Sequence, residues 1–111
     1  MTENREALYL ERIRRAAKDA ATFVEGMDLE AFLADPRTQH ACAMCLLIIG
    51  ECASWLMKMR PDFVATHPGV PWTTVIGMRN RIAHGYFEIN HRVVWVTLTE
   101  SLPAFLGKLP K

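Results

Sequence analysis

An excess of charge of one sign is missing from this sequence: thirteen Lys and Arg face twelve Asp and Glu, leaving +1 over 111 residues. That balance excludes the global electrostatic footprint of a protein that coats nucleic acid, so any contact with a phosphate backbone must be local. Cysteine is sparse and odd in number, at positions 42, 45 and 52; this excludes a disulfide framework and points to a reducing compartment. Long apolar runs are absent too. The densest, Ala41 to Ile49, is about half of the ~20 residues that a membrane helix needs. The opening residues carry Arg and Glu charges ahead of any sustained apolar stretch, unlike a signal peptide. There is no internal repeat and no low-complexity segment. The expectation is a cytoplasmic protein with no membrane contact.

What is present suffices for a core. Half of the residues are apolar and 23% are charged, and a chain of this length is expected to form a single domain over residues 1–111. Leu10, Ile13, Ala17, Ala20 and Val24 recur at helical spacing, giving an amphipathic helix over Asn4 to Val24 that Gly26 ends. Asp28 caps a short second helix through Leu29, Phe32 and Leu33. Asp35 followed by Pro36 starts a third, running to about Met59. On it Cys42, Cys45, Leu46, Ile49, Cys52, Ala53 and Leu56 fall within one arc, which predicts the central core helix. Arg60-Pro61 stops it, and 62–71 reads as an irregular connection.

A fourth helix is expected over Thr73 to His84, ended by Gly85, and a fifth from Asn90 as cap. Val93 to Thr99 is rich in β-branched residues, yet Val94, Leu98, Leu102, Phe105 and Leu109 keep helical spacing, and that spacing predicts helix. Pro103 should kink or split it. The predicted fold is therefore all-α, a compact bundle of four to five helices.

Three places in the sequence carry candidate chemistry. Cys42, Cys45 and Cys52 with His40 superficially offer metal ligands, but they occupy the apolar arc of a long helix, where free Cys behaves as a small hydrophobe; no metal is expected there. Gly50-Glu51 interrupts a strong helix, which implies close helix packing at Gly50 and leaves Glu51 either solvated or turned into a site between helices. The third is the run from Met78 to Tyr86. On the wheel of the fourth helix Arg79 falls inside the arc of Val75, Met78, Ile82 and Ala83. A guanidinium there has to snorkel or find an anion: a phosphate, or a core-edge acid such as Glu51. Asn80 and His84, four apart, share another face, where the amide could bond to the imidazole. Arg79 and His84 lie about 140° apart at ~100° per residue, so one substrate meets both only if Arg79 reaches around the helix or a second subunit completes the site.

Arg79, four residues beginning with Asn80, then His84, Gly85 and Tyr86 resembles the Arg-x4-His-x-Tyr motif of HepT-like toxins in the HEPN superfamily, from type VII toxin-antitoxin systems. Ile48-Ile49-Gly50-Glu51, Pro71-Trp72, Ile76-Gly77-Met78, Val94-Trp95 and Leu102-Pro103 agree in order and spacing, so the resemblance covers about Phe32 to Leu109. It implies a helical homodimer joined through the motif-helix region, with the cleft between subunits, and a metal-independent endoribonuclease without cofactor. Carried over, His84 would act as general acid or base, Arg79 would bind phosphate and stabilise transition-state charge, and Asn80 would orient the scissile group. Arg81 would add phosphate-binding charge, with Glu51 as possible support. The resemblance also implies a minimal nucleotidyltransferase antitoxin that adds AMP to the motif tyrosine, here Tyr86. Two other readings stay open: a non-catalytic module binding a nucleotide or the nucleotidyltransferase, and a structural motif in which Arg79 simply pairs with Glu51.

Overall fold

The computed structural model describes residues 5–85 and 88–110. They form helices and connections with no strand among them: α1 (Arg5–Phe23), α2 (Leu29–Leu33), α3 (Pro36–Met59), α4 (Pro61–Ala65), α5 (Trp72–His84), α6 (His91–Val96), a π-helical turn (Thr97–Ser101) and α7 (Leu102–Lys108). The all-α class is as the periodicity predicts. The number of segments is higher for two local reasons.

The first is the stretch after Arg60, which is not irregular throughout. Pro61 ends α3 but sits at the first position of α4, where its fixed φ and missing N–H suit a new helix. The Val64 N–H donates to the Arg60 carbonyl at 3.1 Å, and Thr66 closes the turn through Oγ1, which donates to the Phe63 carbonyl at 2.7 Å. The second is the split of the last helix at Pro103. Because proline has no N–H and crowds the carbonyl four residues back, the turn before it widens. The Leu102 N–H donates five residues back, to Thr97. The helical spacing survives the split: Val94, Leu98, Leu102, Phe105 and Leu109 are all buried.

Helix starts follow the capping residues. Asp28 accepts from the Ala31 N–H at 2.9 Å, and Asn90 from those of Arg92 and Val93 at 3.0 and 3.3 Å. Asp35 accepts from the Thr38 N–H and hydroxyl at 3.1 and 2.6 Å, and this hydroxyl bond holds its carboxyl below the usual carboxylate range. Gly26, in the left-handed region at φ 79°, turns the chain between α1 and α2. Gln39 is buried, but its amide donates to the carbonyls of Phe32 and Leu33 at 2.9 and 3.1 Å. It thereby satisfies the end of α2 and fixes α2 to α3.

α3 lies at the centre, packed chiefly against α1 and α5. Its predicted arc is buried in full and joins Ile13, Ala17, Phe32, Trp72, Ile82 and Phe105 in one core. Burial pushes all three thiols up, Cys42 to about 11, so they stay protonated as core side chains. α3 is long and apolar enough to cross a membrane by length and composition, with mean hydropathy 1.6 over its best 18-residue window. The local run Ala41 to Ile49 understates this. Half of that window is buried against the other helices, which accounts for its apolar character by packing.

Candidate active site

The site begins with a helix crossing. A Cβ built on Gly50 would lie 2.1 Å from Cβ of Arg79, 2.8 Å from its Cγ and 3.0 Å from the Val75 carbonyl. Only glycine lets α3 and α5 approach this closely, which is the compensation for interrupting α3. The stem of Arg79 lies across Gly50, and its guanidinium emerges beside the next residue of α3. Arg79 Nη2 is 2.7 Å from Glu51 Oε1, and Nη1 donates to Asn80 Oδ1 at 2.8 Å. The arginine snorkels out of the apolar arc and finds the carboxylate that the wheel requires.

This pair is not a buried one. The side chain of Arg79 is 31% exposed and that of Glu51 is 66% exposed. An ion pair in such a setting contributes about 0.2–1 kcal/mol to folding. The expected bond between Asn80 and His84 does not form; the amide oxygen instead accepts from the charged guanidinium. Asn80, Arg81 and His84 are all exposed.

Two grooves flank this end of α5. One, of about 450 Å³, is lined by Arg79, Ala83, Glu51, Ile48 and Cys52 together with Tyr9 and Arg12 from α1. The other, of about 400 Å³, holds Arg81, His84, Glu88 and Asn90 between the apolar walls of Met78, Ile82, Ile89 and Val93. One protomer thus brings Arg79, Asn80 and Glu51 together, and separately Arg81 and His84. It does not bring Arg79 and His84 into one groove, as their angular separation on α5 requires. Tyr86 lies outside the described residues. Tyr9 and Arg12 were not singled out by the sequence; their three-residue spacing on α1 is visible there, but their approach to α5 is tertiary. Among the described residues no group of three His, Cys, Asp or Glu side chains could hold a metal ion.

A further polar group lies nearby. His91, at the start of α6, packs its ring edge-on against Phe32 at 6.3 Å, and its Nδ1 is buried without a hydrogen-bond partner among the described residues. Burial pushes its pKa below the ordinary value near 6.5, and His40 adds to this.

Comparison with known proteins extends the resemblance towards the N-terminus. The chain is 37% identical over 103 residues to a probable ribonuclease HepT of Thermococcus cleftensis, covering 93% of this chain and 91% of that protein. It is 36% identical over 95 residues to a putative RNase of Caldanaerobacter subterraneus subsp. tengcongensis, covering 86% and 82%. A putative RNase of Methanocaldococcus jannaschii is 33% identical over 95 residues, covering 86% and 76%. No solved structure matches the chain. The Ribonuclease HepT-like family model matches residues 13–111, a span that takes in the Gly50 crossing, all of α5 and the groove at His84, though not Tyr9 and Arg12 of the Arg79 groove, and the chain therefore belongs to the HepT-like ribonuclease family.

Proposed function

We propose that this protein is the toxin of a toxin-antitoxin pair, a metal-independent endoribonuclease of the cytoplasm that acts as a homodimer of single-domain chains. The observation that carries this reading is the setting of Arg79. Its guanidinium is held at the rim of an open groove by Glu51 and Asn80, on the same helix as a solvent-facing imidazole. A fixed planar cation matches an RNA phosphate and the charge that grows on it during displacement. An exposed imidazole can take and return a proton near neutral pH.

In the proposed reaction the 2′-hydroxyl attacks the adjacent phosphorus while the bond to the 5′-oxygen breaks. The hydroxyl proton leaves and a proton is delivered to the 5′-oxygen, giving a 2′,3′-cyclic phosphate and a free 5′-hydroxyl. His84 handles one of these proton transfers, Arg79 with Arg81 binds phosphate, and Asn80 orients the scissile group through Arg79. The separation of Arg79 and His84 into two grooves supports a site completed across a two-fold axis, with Arg79 of one protomer facing His84 of the other. A minimal nucleotidyltransferase antitoxin would silence this site by adding AMP to Tyr86, two residues from His84, where bulk and negative charge oppose an RNA phosphate.

The test is RNA cleavage in EDTA by wild type and by His84→Ala, with equal folding checked by circular dichroism. Cleavage by the wild type, lost in the variant and leaving cyclic phosphate ends, is the expected result; undiminished cleavage by His84→Ala sinks the proposal.

A further inference from the structure

The groove that contains Arg79 has a second wall, on α1, that the reaction above does not use. The Tyr9 ring stacks on Trp55 of α3 with centroids 4.1 Å apart and planes 4° from parallel. Arg60 lies over Trp55 at 5.4 Å and is tied to Glu6 at 3.1 Å. Arg12 lies over Tyr9 at 5.0 Å, is exposed, and forms no ion pair among the described residues. Clamping α1 to α3 accounts for the two rings and, through Glu6, for Arg60. It does not account for Arg12.

Arg12 shares its groove with Arg79, and the one carboxylate there, Glu51, is engaged by Arg79. The groove is thus a local cationic site on a chain of net charge +1. Its volume of about 450 Å³ is in the range of pockets that hold small ligands. Trp55 covers Tyr9 on one side and Arg12 lies over its ring, so the surface this wall offers is the Arg12 guanidinium itself, backed by Tyr9: its plane can stack a splayed base and its edge can donate to a phosphate. A duplex hides its base faces in its own stack and cannot use that plane.

We infer that Arg12, held on Tyr9, forms a second nucleotide subsite, which takes the phosphate and base next to the nucleotide held at Arg79 and selects single-stranded RNA. This rests on the ribonuclease reading for the position of the scissile phosphate, but its test does not need turnover.

The experiment measures binding of a labelled single-stranded RNA, and of the same sequence as a duplex, to the full-length His84→Ala protein across a range of salt. Adding Arg12→Gln should weaken single-strand binding about tenfold and reduce the slope of log K against log salt by about 0.7, the value for one phosphate contact on a single strand. Arg15→Gln, an exposed charge of α1 outside the groove, should change neither. An abasic nucleotide beside the cleavage position should weaken binding at least fivefold with Arg12 present and have no further effect in Arg12→Gln.

An unchanged salt slope in Arg12→Gln, or duplex binding as tight as single-strand binding, overturns the subsite. If the wild type still cleaves RNA in that case, the ribonuclease reading stands without it. Arg12-dependent binding by a wild type that never cleaves would keep the subsite and remove the catalytic reading. A folded wild type that neither binds nor cleaves removes both.

Discussion

The two flanks of α5 are built differently. On the Arg79 flank everything is fixed: Gly50 admits the arginine stem, Glu51 and Asn80 hold its guanidinium, and α1 closes the groove. On the His84 flank the imidazole is exposed at the last residue of the helix, above a groove with apolar walls from α5 and α6. One flank presents a positioned charge and the other a solvent-facing imidazole. The difference suits phosphate chemistry, in which charge stabilisation depends on preorganisation. On the proposed reading, neither flank is complete alone.

The strongest test of that division mixes two inactive chains. Arg79→Gln and His84→Ala homodimers should each lose about 10²–10⁴ in rate. If the site is shared across a two-fold axis, refolding the two together restores about a quarter of wild-type activity, because half of the dimers are mixed and each has one intact site. Failure of mixing to restore cleavage would place both groups in one protomer. The melting of Arg79→Gln sharpens the point: with an exposed ion pair its loss should be within about 1 kcal/mol. A collapse of the fold instead would support a purely structural role.

The crossing beneath Arg79 gives the next largest effect. Gly50→Ala sets a methyl against Cβ of Arg79 and forces α3 and α5 apart, and should destabilise by about 1–3 kcal/mol in urea unfolding. Because the same shift moves Arg79, cleavage should fall more than the lost stability explains.

The smallest effect is on the pH dependence of stability. His91 has a folded pKa below its unfolded value, so between these two the unfolded chain binds more protons and stability rises with pH. The protein should therefore lose stability as pH falls below about 6.5, and His91→Phe should flatten that part of the curve in thermal melts. Asp35 acts in the same direction at lower pH: its folded pKa is depressed by Thr38, and the stability this supplies is lost as pH falls through it.

Much of the fold could be read from the sequence because its signals are local. Asp28, Asp35 and Asn90 cap the helices that they should, and the arc of α3 is buried as the spacing predicts. Proline was the ambiguous signal. Pro61 reads as a stop, and only its surroundings show that it also begins α4. The need of Arg79 for an anion was legible from its place on the wheel. The choice made by Asn80 was not, since its helix offered His84 on one side and a guanidinium on the other, and only the side-chain geometry decided between them.

By itself the sequence determined the helices other than α4, the central position of α3, the conflict of a charge inside an apolar arc, and the angle that keeps Arg79 from His84 on one helix. Each follows from periodicity and capping, which act over a few residues. The tertiary structure alone decided that Gly50 is the floor under Arg79, that Tyr9 and Arg12 stand across the groove from it, and that Trp55 backs Tyr9. Those are contacts between residues tens of positions apart, set by how closely three helices pack, and no local pattern encodes that distance.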